Sequence, residues 1–433
     1  MSFVINKIKQ LYNSKEVKNA GWLIGGRVIQ MVLSFFIGIL TARFLGPSNF
    51  GLISYCSSYT AFFTSFCTLG INYIIVKELI DNPNNQGGII GSTIVLRAVS
   101  SILSAVMIVS VISIVDRNEY QTLIVAILCS IALVFQVFDT LNYWFQSKYQ
   151  SKATAIATLI AYLAVSGYRI ALLALNKDVV WFAFATSVDY IVLALVLLLF
   201  YKYYKGPRFS FSWKLSKSLL KKSYNYILSG MMVAIYSQTD KVMLKHMLSE
   251  SEVGYYSIAA TISTLWVFVL IAIIDSMSPT IINCHKNSKL EFDRKNMQLY
   301  CLVFYISCLV SIILLLFAHP IVVILYGEPF SESAGPLKVI TWYVAFSYLG
   351  VARNTWIVCT NNQKYLKYIY ASAALINVVL NLLLIPLWGA VGAAAASLIT
   401  QIATSILLPL FIAPLKENAL LILKSIVFKG FTK

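Results

Sequence analysis

The sequence predicts an all-α, polytopic membrane protein with about 12 transmembrane helices, and three observations carry that prediction. Of its 433 residues, 59% are apolar and only 12% are charged, where a soluble domain carries about 25% charged residues. The mean hydropathy is +0.77. The apolar residues fall into twelve long runs, each near the roughly 20 residues that cross a bilayer as a helix. A soluble enzyme, a disordered chain and a disulfide scaffold are excluded by the same numbers. Twelve spans use about 240 residues, so no large soluble domain fits beside them.

Residues 1–19 form the first segment. Lys7, Lys9, Lys15 and Lys18 interleave with Phe3, Ile5, Ile8 and Leu11, the pattern of an amphipathic helix lying on the cytoplasmic face. No short apolar core with a small-residue cleavage site follows, so this is not read as a signal peptide. The runs lie near 20–42, 50–75, 89–115, 121–147, 153–175, 179–203, 223–246, 254–283, 297–324, 337–360, 365–388 and 391–413. The tail, 414–433, alternates Leu420, Leu421, Ile422 and Ile426 with Lys416, Lys424, Lys429 and Lys433. It reads as a second interfacial helix rather than a thirteenth span.

Charge sets the orientation. The net charge is +17, but the bases sit in short segments between apolar runs, which argues for the positive-inside rule and against nucleic acid. With the N-terminus inside, the cytoplasmic segments carry 24 Lys and Arg and the outer segments five. Both termini are therefore expected in the cytoplasm. The richest segment, 204–222 with its flank, holds Lys202, Lys205, Arg208, Lys214, Lys217, Lys221 and Lys222. It divides the chain into an N-lobe (20–203, spans 1–6) and a C-lobe (223–413, spans 7–12). A shift of 203 residues aligns Ser34 with Ser237, Leu45 with Leu248, Ser48 with Ser251, Gly51 with Gly254 and Ser54 with Ser257. Two six-helix repeats of the same orientation follow, and transporters built on repeats bind substrate between them.

No constellation for covalent chemistry stands out. His246, His285 and His319 share no helical spacing, and the seven cysteines form no CxxC or Cys–His cluster. There is no P-loop and no GxGxxG. The longest outer segment, near 325–336, carries only Glu328 and Glu332. Transport is favoured over catalysis, with no cofactor and no metal.

Nine charges fall inside the spans: Arg27, Arg97, Asp139, Arg169, Asp189, Asp240, Lys241, Asp275 and Arg353. Each costs at least about 2.5–3.5 kcal/mol at the bilayer centre, so each faces a wet cavity or a partner. Arg27, behind Gly21, Gly25 and Gly26, is a candidate phosphate or carboxylate contact or a snorkelling arginine; Arg353 lies at similar depth. Arg97 can pair with Asp139, and Arg169 can reach the outer surface. Asp189 is central enough for ion coupling or for a salt bridge. Asp240 and Lys241 sit together in span 7. Asp275 precedes Pro279, where the helix can kink. The 59 aromatic residues are assigned mainly to interface belts and packing.

Four motifs carry a resemblance. Ala42-Arg43-Phe44-Leu45-Gly46-Pro47-Ser48-Asn49-Phe50-Gly51 follows span 1, and Trp144-Phe145-Gln146-Ser147 ends span 4. Thr239-Asp240-Lys241 leads to Glu252-Val253-Gly254-Tyr255-Tyr256-Ser257, and Asn377-Val378-Val379-Leu380-Asn381 leads to Ile385-Pro386 and Gly389-Ala390-Val391-Gly392. Together they resemble the polysaccharide-transport branch of the multidrug/oligosaccharidyl-lipid/polysaccharide (MOP) exporter superfamily. Ser147 departs from the usual glycine. The resemblance implies a MATE-like fold of two lobes around a central V-shaped cavity, and the activity of a Wzx-type O-antigen flippase in the bacterial inner membrane. Its substrate would be an undecaprenyl-diphosphate-linked oligosaccharide, moved on a proton or sodium gradient. A polysaccharide polymerase and a chain-length regulator would be partners beside the bilayer. The motifs themselves read as architectural. Diphosphate or sugar-acid contact is assigned to Arg27, Arg353, Arg97, Arg169 and Lys241, and ion coupling to Asp189, Asp240, Asp275 and Asp139. A cation-coupled drug exporter of the same fold and a repeat-unit polymerase are the rival readings.

Overall fold

The computed structural model describes residues 15–427, with side chains from residue 29 onward except at 225 and 229. Most of the predicted N-terminal amphipathic segment and the last residues of the tail lie outside that range. The described chain is mostly helical, and helices cover the expected runs in order, but the runs 121–147, 254–283 and 297–324 are each divided between two helices rather than formed as one.

Helix α1 (Lys15–Thr68) holds the first two spans, separated at Gly46 (φ 70°, ψ 175°), a conformation that glycine adopts without a Cβ clash. Pro47 then starts the second arm, where its missing N–H costs nothing. The following helices are α2 (Ile75–Asp81), α3 (Gln86–Val115), α4 (Tyr120–Phe135), α5 (Thr140–Ser147), α6 (Ser151–Ala174) and α7 (Val179–Tyr203). After them come α8 (Trp213–Met247), α9 (Glu250–Thr264), α10 (Val267–Asn287), α11 (Lys289–Leu316), α12 (Ala318–Tyr326) and α13 (Ala334–Cys359). Helix α14 (Leu366–Ile402) repeats the device of α1: it holds two spans, broken at Gly389 (φ 57°, ψ −134°). A π-helical turn (Ala403–Leu407), α15 (Leu408–Phe411) and α16 (Ala413–Ile426) complete the described chain.

Eight of these segments are long and apolar enough to cross a membrane. The span helices are inverted relative to a soluble protein. On α3, Val99, Ile102, Leu103 and Val106 are exposed, while Arg97, Ser100, Ser101 and Ser104 are buried. Lipid receives the large apolar face, and small or polar residues let helices approach closely. Helices α8, α9 and α13 fall outside that set: α9 has only 15 residues, and α8 carries the exposed Lys214, Lys217, Lys221 and Lys222.

The contacts divide the chain into two units. Unit 1 comprises the chain up to Leu45 and Cys56–Ala234; unit 2 comprises Gly46–Tyr55 and Ile235 onward. The division falls inside α8 and inside the second arm of α1. In unit 1 a core forms around Ile71, Ile75, Leu79, Ile90, Trp144 and Phe145. The Trp144 indole donates to Gln86 Oε1 at 3.2 Å, which explains why that motif is aromatic. The chain after α7 runs over a glycine face of α3. Ser210 N donates to Gly87 O at 3.2 Å, and a Cβ at Gly91 would meet Ser210 O at 2.3 Å.

In unit 2 the core gathers Leu299, Tyr300, Leu349, Trp356, Leu415 and Ile422. Helix α16 packs against α11: Asn418 Nδ2 donates to Tyr300 Oη at 2.7 Å, Tyr305 Oη donates to Ile426 O at 2.6 Å, and Lys289 pairs with Glu417 at 2.8 Å. The apolar face of the tail is therefore spent on a neighbouring helix.

Candidate functional site

Three of the four motifs converge in unit 2 and build its frame. Gly51 and Gly254, the pair aligned by the internal repeat, lie against each other. A Cβ on Gly51 would meet Glu250 O at 1.8 Å and Gly254 N at 2.9 Å, and one on Gly254 would meet Pro47 O at 2.3 Å. Glu252 Oε2 accepts from Ala390 N at 2.6 Å. The carboxylate thus caps the helix that restarts after Gly389, where it also complements the positive end of the helix dipole. Nearby, Tyr55 Oη and His246 Nε2 are 2.9 Å apart, and Lys245 lies 3.8 Å from Glu250.

That frame holds a cavity of about 320 Å3 whose walls include Phe50, Tyr236, Lys241, Tyr343, Asn377 and Gln401. This is near the lower end of the ~300–1,000 Å3 range of ligand pockets. Asp240 is 1% exposed at its wall. Its carboxylate accepts hydrogen bonds from Tyr256 Oη and Ser397 Oγ on one oxygen and from Asn381 Nδ2, at 2.6 Å, on the other. Asn381 also donates to Asn377 Oδ1 at 3.1 Å, while its own Oδ1 is buried without a partner. A buried carboxyl group needs hydrogen bonds in place of its hydration, and here neutral donors from α9 and α14 supply them. Lys241 lines the same cavity, with Asp240 as its charged neighbour. No salt bridge within 4.0 Å joins the two, which leaves the ammonium available to the cavity.

Arg353 is also buried in unit 2, at 3% exposure, but it faces a different space of about 80 Å3. Tyr236 and Gln401 line both cavities. Arg353 Nη1 donates to Thr404 O at 3.1 Å in the π-helical turn.

In unit 1 the predicted charges form a row. Asp139 has Arg97 and Asp189 as charged neighbours, and Asp189 has Arg169. None of the four makes a salt bridge within 4.0 Å among the described residues. Arg97, 3% exposed, donates instead to Thr140 Oγ1 at 3.0 Å and Gln136 O at 3.1 Å. It thereby fastens α3 to the 3-10 turn Gln136–Asp139 that interrupts span 4. The direct Arg97–Asp139 pair expected from sequence is replaced by this arrangement. Asp275 is exposed on α10, which continues through Pro279 to Asn287. The Arg27 side chain lies outside the described residues.

Sequence reasoning singled out Asp240 and Lys241 but not their neutral surroundings. Tyr256, Asn377 and Asn381 stood inside motifs read as architectural. The available signal was the i, i+4 spacing of two asparagines within an apolar helix.

Residues 17–285 match the model of a family described as polysaccharide biosynthesis protein. This chain belongs to the polysaccharide biosynthesis protein family. Residues 226–383 also match the MatE family, in keeping with the MOP resemblance of the motifs. Among curated family relatives, the chain is 20% identical over 402 residues to the capsular polysaccharide biosynthesis protein CapF of Staphylococcus aureus, covering 89% of this chain and 96% of that one. It is 22% identical over 395 residues to a putative O-antigen transporter of Escherichia coli K12, covering 88% and 92%. In fold it is similar to the lipid II flippase MurJ in an inward closed conformation, with TM-score 0.73, 15% identity and coverage of 94% and 90%. It is also similar to an inward-facing MATE multidrug transporter of the MOP superfamily, with TM-score 0.66, 13% identity and coverage of 93% and 96%. The fold of this family member is thus that of MOP transporters.

Proposed function

We propose that this protein is a flippase that moves undecaprenyl-diphosphate-linked oligosaccharide units from the cytoplasmic to the periplasmic leaflet of the bacterial inner membrane. Both termini are then cytoplasmic, and an ion gradient drives alternating access. Family membership and near full-length similarity to CapF and the putative O-antigen transporter support a polysaccharide precursor as cargo. The observation that carries the reading at residue level is the pairing, in one unit-2 cavity, of an available base with a caged acid.

Lys241 is the base proposed to meet the anionic part of the substrate, a diphosphate or a sugar acid. Asp240 is the proposed coupling group: a charged carboxylate held by neutral donors can exchange one of them for a proton or a small cation. Arg169 and the other charges of the unit-1 row, Asp139 and Asp189, are second candidates for the same two roles. Arg97 is spent on fastening two helices. Arg353 faces a space too small for a diphosphate headgroup, since an apolar cavity of about 150 Å3 admits only one benzene.

The MatE match favours a second reading, a cation-coupled drug exporter. Lys241 on the cavity wall, beside an acid whose oxygens are already taken by neutral donors, argues for an anion over an organic cation. Complementation separates the two. The wild-type protein should restore surface polysaccharide in a strain that lacks its own flippase, and drug tolerance should stay unchanged. Lys241→Met and Asp240→Asn should each fold and reach the membrane but lower polymer output at least about tenfold, a loss of about 1.4 kcal/mol or more. Full output from both variants would remove the cavity from the mechanism.

A further inference from the structure

Arg353 poses a charge problem that the transport reading does not use. It is 3% exposed, on α13, and no acid within 4.0 Å pairs with it among the described residues. The titratable groups that act on it electrostatically are the phenols of Tyr370 and Tyr300. Its Nη1 reaches two backbone carbonyls of the π-helical turn, Thr404 O at 3.1 Å and Ser405 O at 3.5 Å. Those oxygens lie in the last turns before the chain breaks at Ile412, so their partial negative charge opposes the guanidinium. They cannot neutralise it. Its Nε is buried with no hydrogen-bond partner among the described residues. An uncompensated buried charge is strongly destabilising, and a buried donor without a partner adds to that cost.

The space beside Arg353 has the size and lining to resolve this. It measures about 80 Å3 and is lined by Ser347, Gly350, Asn354, Tyr370, Thr404 and Ser405 among others. Among the described residues, Arg353 is the only charged one in that lining. Asn354 is exposed and marks the open side, with amide donors free to turn inward. The π-turn is what makes the place: the wider turn presents two carbonyls toward one guanidinium group, and such turns recur at functional sites.

We propose that Arg353 and this pocket bind one small monovalent inorganic anion of the halide class, chloride under cellular conditions. The ion neutralises Arg353, accepts from its unpartnered Nε–H and from Asn354, and pins α13 to the π-turn. The site lies wholly within unit 2 and does not depend on what the protein carries.

The test uses the full-length protein in detergent, melted in potassium gluconate while chloride or bromide replaces gluconate. The expected result is a saturable rise in Tm of roughly 2–4 °C, with bromide acting like chloride. Arg353→Gln abolishes the rise. Gly350→Val provides the second variant. A Cβ there meets only Ser405 Oγ, at 3.6 Å, so the larger side chain fills the pocket with the guanidinium intact, and the halide response is lost. Crystals grown in bromide should give an anomalous peak beside Arg353 Nε. A Tm indifferent to halide, a response undiminished in Gly350→Val, or a rise with phosphate but not with chloride would each overturn the proposal.

Discussion

A glycine carries the tightest contact that the sequence repeat brings together. Gly51 faces the backbone of α9 so closely that a methyl group would sit 1.8 Å from Glu250 O. Backbone cannot swing aside as a long side chain can, so Gly51→Ala must push the second arm of α1 away from α9. The expected cost is about 1–3 kcal/mol, the usual penalty for overpacking, read as a lowered Tm. Gly38→Ala is the control, because nothing lies within 4 Å of its Cβ position. Equal stability of the two variants would contradict the close approach. At this scale the sequence was legible in kind: the motifs were read as architectural, and Gly51, Gly254 and Gly392 within them are points of close backbone approach. The carboxylate cage was not legible. Tyr256, Asn377, Asn381 and Ser397 are neutral and lie 16 to 157 residues from Asp240. No local pattern announces a cage whose members meet only after α8, α9 and α14 have packed.

Among the elements, α1 and α14 share one construction, two spans joined through a glycine with positive φ and a nearby proline. In α14 the restart after Gly389 is capped by Glu252. Two substitutions should separate backbone strain from capping. Gly389→Ala forces a side chain into a conformation worth of order 1–3 kcal/mol of strain, and its Cβ would press on Glu252 Oε2 at 2.7 Å. Glu252→Gln keeps an acceptor and loses only the charge, so it should cost less, about 0.3–1 kcal/mol. Thermal unfolding of both decides the order, and a larger loss for Glu252→Gln would mean that the carboxylate, not the turn, holds the two helices in register. The spans themselves were readable because lipid demands long apolar runs. Helices α8, α9 and α13 fall outside those runs, and α8 and α9 bring Asp240, Lys241 and Tyr256 to the cavity. The π-turn at Ala403–Leu407 left no trace in the sequence, since its residues are ordinary helix formers or small polar side chains.

For the whole molecule, the central claim is that a MOP-fold member of the polysaccharide biosynthesis family flips a lipid-linked oligosaccharide. Fold and family follow from apolar patterning and from motifs spread along the chain. Cargo does not, because sugar recognition rests on hydroxyls and aromatics that are common in any membrane protein. The most direct measurement is the sidedness of undecaprenyl-diphosphate-linked oligosaccharide in cells with and without this gene. The account predicts that loss of the gene traps the lipid-linked unit on the cytoplasmic face and that the wild-type gene releases it. Units that still reach the periplasmic face without the gene, yet are not joined into polymer, would contradict the account and place the protein at a later step.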